Sequence, residues 1–411
     1  MGAPPSAKAP NTPLTRQFTI TRSIVGGNPL QIRVGIVGAG LMGAATTYHL
    51  AALGAKVTVF DSHSPGGGTS GSSFAWISAS APAIEDRDYF DLCHTAMSEV
   101  SALADDIGGE HWFQPSGHLR WAVHGSDTEK ELLAHADQIA GYGYQVNIRS
   151  AQDVRESIEP TIQFESPNQP VLVFPQESWI DAPALIHRLL AAAKAHGAET
   201  VIGRTVTHID TDSSSVTGVV LDDGSRYTLD VLVNAAGQWS GHIASLVGRD
   251  LPLLSSPGLV ARLRSKNFRT TWAMHSPHVE IRPDGDCQML LHSREIDAQL
   301  DASGFADDQQ VDDLYTLAKT VIPDLETSRV IDARVGWRPL PLDTLPSVGR
   351  ISTLGGYYEL VTHMGAILAP MLGRLAATEI VTDQDSVRLA KYRPERDGLR
   401  TVKPGDVLSS S

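Results

Sequence analysis

The chain has 411 residues, with 33 Lys and Arg against 47 Asp and Glu, a formal net charge of −14. That length accommodates two or three domains, and the acidic balance excludes recognition of nucleic acid or of an anionic membrane through a basic surface. Two cysteines, Cys93 and Cys287, stand in no C-x-x-C or metal-like spacing, which excludes a disulfide framework and a zinc site; no metal is expected, and a reducing, cytoplasmic setting is.

Residues 1–30 are rich in Pro, Ser, Thr and Gly and read as a disordered or loosely docked extension without a signal-peptide core. Met1-Gly2-Ala3-Pro4-Pro5-Ser6 formally matches a myristoylation pattern, a chance match given the paired prolines. From Arg33 to Asp61 the chain spells one complete unit. Val34, Ile36 and Val37 form a buried strand that runs into Gly38-Ala39-Gly40-Leu41-Met42-Gly43, a G-x-G-x-x-G turn. A helix from about Leu41 to Leu53 follows, stopped at Gly54, and its first amides offer a seat for a pyrophosphate. A second strand, Lys56 to Phe60, ends at Asp61, where a carboxylate can accept from a ribose diol. Strand, turn, helix, strand and acid together indicate an adenine dinucleotide, NAD or FAD.

The run from Ser62 to Trp76, including Thr69 and Ser70, leaves the carboxyl end of the second strand and offers amides and hydroxyls for phosphate and ring contacts. An amphipathic helix is expected from Tyr89 to about Ile107 with Cys93 in its core face, then strand pieces over Trp112 to Val123 and a polar helix from Asp127 to Ala140. Asp181 caps a helix that has Pro183 in its first turn and reaches Gly197. Strands are expected at Thr200 to Ile209, Val216 to Leu221 and Tyr227 to Leu229, and a buried run, Asp230 to Gly237, ends in small residues suited to a nearby cofactor. His278 to Arg282 alternates as a half-buried strand, with Gln288 to His292 as its hairpin partner. Leu360 to Val381 carries His363, Arg374 and Glu379 and reads as a buried helix, so no membrane span is expected.

Four blocks carry a resemblance: GAGLMG with Asp61; Thr69-Ser70; VNAAGQWS at Val233 to Ser240; and the pair GWRPLPLDTLPSVGR and THMGAILAPMLGRLAATEI. In their order and spacing the chain resembles the D-amino-acid oxidase and glycine oxidase type of FAD-dependent oxidoreductases, a family that also includes D-amino-acid dehydrogenases and sarcosine oxidases. The resemblance covers Arg33 to about Asp383. It implies an α/β fold with a discontinuous Rossmann-like FAD-binding domain, residues 31–105 with 171–250 and 335–385. Residues 106–170 with 251–334 would form a substrate domain built on an antiparallel sheet, and 386–411 a C-terminal tail. It further implies that Val206 meets adenine through its backbone, that Ala236, Gly237 and Trp239 lie along the cofactor, and that Arg338 holds a substrate α-carboxylate.

A guanidinium offers two parallel donors to a carboxylate, which suits Arg338 in Gly336-Trp337-Arg338-Pro339. His363-Met364-Gly365-Ala366-Ile367-Leu368 opens an apolar helix whose free amides could stabilise negative charge on a reduced flavin ring. His363 itself reads equally as a ring contact or a capped core histidine. Glu280 and His292 fall where related enzymes line the substrate, a solvated sheet face explains Glu280 as well, and Trp76 is an alternative pocket wall. Three departures matter: no cysteine occurs in Val335 to Pro346, so FAD should be noncovalent; no lysine occurs in Gln288 to His292; and Thr362 replaces the usual glycine. The expected reaction is oxidation of the C–N bond of an amino acid or related amine to an imine and then a keto acid, with dioxygen or another compound as electron acceptor. Alternatives are an N-methyl amino acid oxidase, an NAD-dependent dehydrogenase and a noncatalytic flavin-binding protein.

Overall fold

The Val/Ile-rich segments of the glycine-turn unit pair with distant runs of the same kind to make a six-stranded sheet in the computed structural model. That model describes residues 31–81, 86–266, 270–285, 287–301 and 303–401; the extension expected at 1–30 and the last ten residues of the expected tail lie outside them. The strand order is Ser347–Ile351, Leu354–Val361, Val231–Asn234, Arg33–Val37, Lys56–Asp61, Glu199–Ile202. All neighbours are parallel except the first pair, and Val37 stands opposite both Phe60 and Asn234. Parallel strands need both faces covered. Accordingly the helices Leu41–Ala52, Ala182–Ala195 and Gly365–Thr382 pack into one apolar cluster with the strands, Leu50, Leu189 and Leu372 all fully buried.

The second large sheet has eight strands in the order Arg329–Trp337, Pro257–Arg264, Gln288–His292, Glu280–Pro283, Ala273–His275, His118–Arg120, Pro170–Phe174, Asn147–Ser150. It is antiparallel apart from the contact between Ala273–His275 and His118–Arg120. Side chains alternate across it. Leu119, Met274, Ile281 and Leu291 point to one face and share a cluster with Leu314, Ala318 and Val321 of the helix Asp308–Val321. The other face carries His118, His275, Glu280 and His292, and register puts the last three side by side: His275 opposite Glu280, Glu280 opposite His292.

Two expectations are corrected. The run 200–209 is two strands in different sheets, because the chain turns at 203–205 between Glu199–Ile202 and Val206–Thr211. Leu360 and Val361 end a strand, and the helix begins only at Gly365, after the polar Thr362-His363 turn. The helix Gly365–Thr382 is long and apolar enough by length and composition to cross a membrane; most of it is buried between the helices Leu41–Ala52 and Arg87–Ile107.

Candidate active site

A cleft of about 300 Å³ runs along the carboxyl edge of the six-stranded sheet. One end is built by the glycine turn. Gly38 takes φ +107°, and a Cβ there would lie 2.3 Å from the Ala235 carbonyl oxygen; a Cβ on Gly43 would lie 1.8 Å from the Gly38 carbonyl oxygen. Only glycine fits either place. Asp61 Oδ2 accepts from the Ala39 amide at 2.6 Å and Oδ1 from the His63 amide at 2.8 Å, which anchors the carboxylate at the strand end beside the turn. Ser70 Oγ accepts from the Leu41 amide at 3.1 Å, and the first backward bond of the helix runs from the Ala44 amide to the Gly40 carbonyl at 2.9 Å. With the Ala39 and Leu41 amides bonded to Asp61 and Ser70, the cleft-lining Gly40 and Met42 carry the amides left at the helix start for a pyrophosphate.

Gly38, Gly40, Leu41, Met42, Asp61, Ser62, Thr69, Ser70, Val206, Ala236, Gly237 and Trp239 all line the cleft. So do Arg204, Thr205 and His63, which sequence reasoning missed; His63 stacks on Trp239 with ring centroids 5.8 Å apart. Ala39 acts through its amide, and Gly43 packs helix on strand behind the cleft.

At the other end Pro339, Thr362, His363, Gly365 and Ala366 form the wall. The Met364 amide donates to Thr362 Oγ1 at 3.2 Å, so Thr362 caps the turn, and the positive end of the helix dipole points into the cleft. Ile367 and Leu368 have their side chains in the core, and the Leu368 amide donates back to the Met364 carbonyl at 2.9 Å, so the amides before it are the ones left for a ligand. His363 is open to the cleft, which removes the reading as a capped core histidine. The surrounding protein pushes its imidazole down to about 4, and the charges of Arg338, Arg294 and His292 push the same way, so His363 is neutral at pH 7.

Beyond this wall lies a chain of titratable groups on the polar face of the eight-stranded sheet. Glu177 Oε2 faces His118 Nδ1 at 3.2 Å, and His118 Nε2 meets His275 Nδ1 at 2.8 Å. His275 Nε2 pairs with Glu280 Oε1, and Glu280 Oε2 meets His292 Nδ1 at 2.8 Å. His292 Nε2 meets Asp297 Oδ2 at 2.8 Å, and the same oxygen accepts from Arg338 Nη2 at 2.5 Å. Trp76 covers the middle of the chain, with centroids 4.2 Å from His118 and 4.5 Å from His275. Phe74, next to the cleft-lining Ser73, approaches His275 and His292 at 6.3 and 6.2 Å. Arg282 pins that loop by donating to the Phe74 carbonyl at 2.6 Å.

These contacts set the charges. Burial alone would lower His292, but Glu280 and Asp297 raise it to about 9, so it is an imidazolium at pH 7. Burial works against the Glu280 charge, and His275 and His292 more than offset it, holding the carboxyl well below its usual range. Burial pushes His275 down to about 4 and lowers His118.

Two expectations change here. Glu280 is buried, so a solvated sheet face does not describe it. Arg338 is not a free fork: besides Asp297, its Nη1 donates to the Pro257 carbonyl at 3.0 Å. Asp297 is fixed in turn by the Leu259 amide at 2.8 Å. His118, Glu177, His275 and Asp297 escaped sequence reasoning because no local motif marks them; the usable signal was histidine at inward strand positions.

The cradle fits an adenine dinucleotide: free amides at a helix start for the pyrophosphate, Asp61 for a ribose, and a second helix start at the far end. A family model described as "FAD dependent oxidoreductase", DAO, matches residues 33–379. A glycine oxidase of Geobacillus kaustophilus (strain HTA426) is 24% identical over 371 residues, covering 87% of this chain and 95% of that protein. YurR, an uncharacterized oxidoreductase of Bacillus subtilis (strain 168), is 26% identical over 378 residues, covering 87% and 97%. Among solved structures, glycine oxidase from Bacillus cereus ATCC 14579 is similar with a TM-score of 0.79 at 20% identity, covering 91% of this chain and 100% of that one. Iminodiacetate oxidase from Chelativorans sp. BNC1 is similar with a TM-score of 0.76 at 21% identity, covering 88% and 99%. With the family match spanning most of its length, this chain belongs to the DAO family of FAD-dependent oxidoreductases.

Proposed function

We propose that this enzyme oxidises the C–N bond of a small amino acid or related amine, giving an imine that water hydrolyses to a keto acid and ammonia. The observation that carries the reading is that Arg338, next in sequence to the cleft-lining Pro339, and His292 lie close enough to His363 at the helix start for their charges to act on it, with Asp297 and Glu280 bonded behind them. FAD, when bound, supplies a two-electron acceptor. Gly38 to Gly43, Asp61, Ser62, Thr69 and Ser70 would hold its dinucleotide part, with Val206, Ala236, Gly237 and Trp239 along its length and His363 to Ala366 at the ring end. Binding is noncovalent: among the described residues no cysteine lines the cleft, Cys93 lying in the core of a helix and Cys287 at a strand turn.

Arg338 orients the substrate carboxylate, which shares the guanidinium with Asp297. Charge-assisted donors and a half-buried setting make that interaction strong. Trp76 and Phe74 exclude water from the reacting carbon, and neutral His363 adds no charge beside it. Anaerobic mixing of the purified yellow protein with a panel of D-, L- and N-methyl amino acids and iminodiacetate tests the reading. Flavin bleaching with one class names the substrate, and the same run under air reports whether dioxygen is the acceptor. A protein that stays yellow with every amine refutes the proposal.

A further inference from the structure

Proton counting along the buried chain leaves one place unfilled. His292 stands between two carboxylates, and Arg338 Nη2, 2.9 Å from its Nε2, donates to the same Asp297 oxygen, so both ring nitrogens carry protons toward carboxylates. The His118–His275 pair is different. It has three links, to Glu177, between the two rings, and to Glu280, and each link needs a proton to be a hydrogen bond. Two neutral imidazoles hold two protons. One link must then be open, and the widest of the three is that of His118 Nδ1 and Glu177 Oε2, fully buried, 3.2 Å apart and without an aligned hydrogen bond.

A third proton closes every link. It also balances the chain's charge, since Glu177, Glu280 and Asp297 then face Arg338, His292 and one shared imidazolium. Other neighbours decide how tightly that proton is held. Tyr144 and Ser78 donate to Glu177 Oε1 at 2.7 and 2.8 Å, leaving Oε2 for His118. Arg120, on the same strand as His118, and burial oppose a charge on the pair, and Arg294 draws on Glu280 from 3.8 Å. Trp76 lies over both rings and excludes water from them. The pair is therefore without its third proton at neutral pH.

We propose that the His118–His275 pair, set between Glu177 and Glu280, is the site's proton acceptor, taking up the one proton that a substrate ammonium sheds before its C–N bond is oxidised. This rests on the amine-oxidation reading above. The N–H bond breaks, its electron pair stays on the substrate nitrogen, and the proton becomes the third N–H of the pair. It enters at the Glu280 end, where the His275 and Glu280 side chains keep 11% and 12% of their surface exposed, in the alternative arrangement of the two imidazole protons that closes the His118–Glu177 link and opens the His275–Glu280 one. Glu177 never touches substrate; it is a positioning residue that sets the pair's affinity for the proton.

The test is the pH profile of anaerobic flavin reduction with two amino acids whose ammonium groups differ in acidity. In the wild-type holoenzyme the acid limb falls below pH 6.5 and stays in place when the amino acid is changed. In Glu177→Gln the limb moves to lower pH by about one unit, because an opposite charge beside the pair is lost. A limb that follows the substrate's own ammonium and ignores Glu177→Gln overturns the proposal while leaving amine oxidation intact; no bleaching with any amine overturns both. Should the variant fail to fold, histidine 15N resonances of the wild-type holoenzyme decide the matter. His118 and His275 moving together on uptake of a single proton supports the shared acceptor, and two separate titrations overturn it.

Discussion

Raising the pH should strip one specific contribution from folding stability. His292 is raised from an ordinary 6.5 to about 9 because Glu280 and Asp297 overcome its burial. A group whose folded value exceeds its unfolded one stabilises fully below the unfolded value and loses that contribution as pH rises through the folded value. The window is therefore from about 6.5 to about 9, and the rise is worth about 3 kcal/mol. Urea unfolding of the wild type and of His292→Gln at about pH 6 and about pH 9.5 isolates the effect, since every other titrating group is common to both. The wild type should lose about 3 kcal/mol more than the variant across that interval. Equal losses would refute the assignment of an imidazolium between two carboxylates.

Gly38→Ala forces a side chain against the Ala235 carbonyl at φ +107°, and strain of about 1–3 kcal/mol should weaken FAD uptake roughly tenfold to a hundredfold, read as flavin per protein after gel filtration. Arg338→Met should raise KM for an amino acid by roughly ten- to a hundredfold, the worth of a hydrogen bond to a charged group, and leave the corresponding decarboxylated amine nearly unaffected. Acid precipitation should release all the flavin into the supernatant; yellow colour retained in the pellet would mean a covalent link.

The glycine-turn half of the molecule was legible because its chemistry is local. Strand, turn, helix and acid follow one another within Arg33 to Asp61, and each residue's role comes from its neighbours in sequence: Gly38 from the turn it must make, Asp61 from the strand it ends. The family and the α/β architecture followed from blocks of that kind. Legibility failed where short segments were assigned without a partner. Residues 200–209 are strand-like on either side of Gly203, which takes φ +77°, and the pairing of Glu199–Ile202 with Lys56–Asp61, and of Val206–Thr211 with Val216–Leu221, divides them between two sheets. Leu360 and Val361 are as apolar as the helix beyond them, and only their antiparallel pairing with Val348 and Ser347 makes them strand.

The titratable chain was illegible for a deeper reason. His118 and His275 are 157 residues apart, and Arg338 lies 41 residues from Asp297, so no window of sequence contains the pattern. It exists only in register, where His275, Glu280 and His292 become neighbours across three strands. Burying so many ionisable groups opposes stability unless each finds its counter-charge, and a well-packed apolar face of the kind this sheet shows on its other side, Leu119, Met274, Ile281 and Leu291, would be the more stable choice. One side of one sheet thus carries the packing and the other carries charge held beside the cleft. Truncating a single member, as in Glu280→Gln, leaves two histidines without their shared carboxylate and should disturb both ends of the chain together, whereas an exchange on the apolar face should lower stability without moving any pH profile.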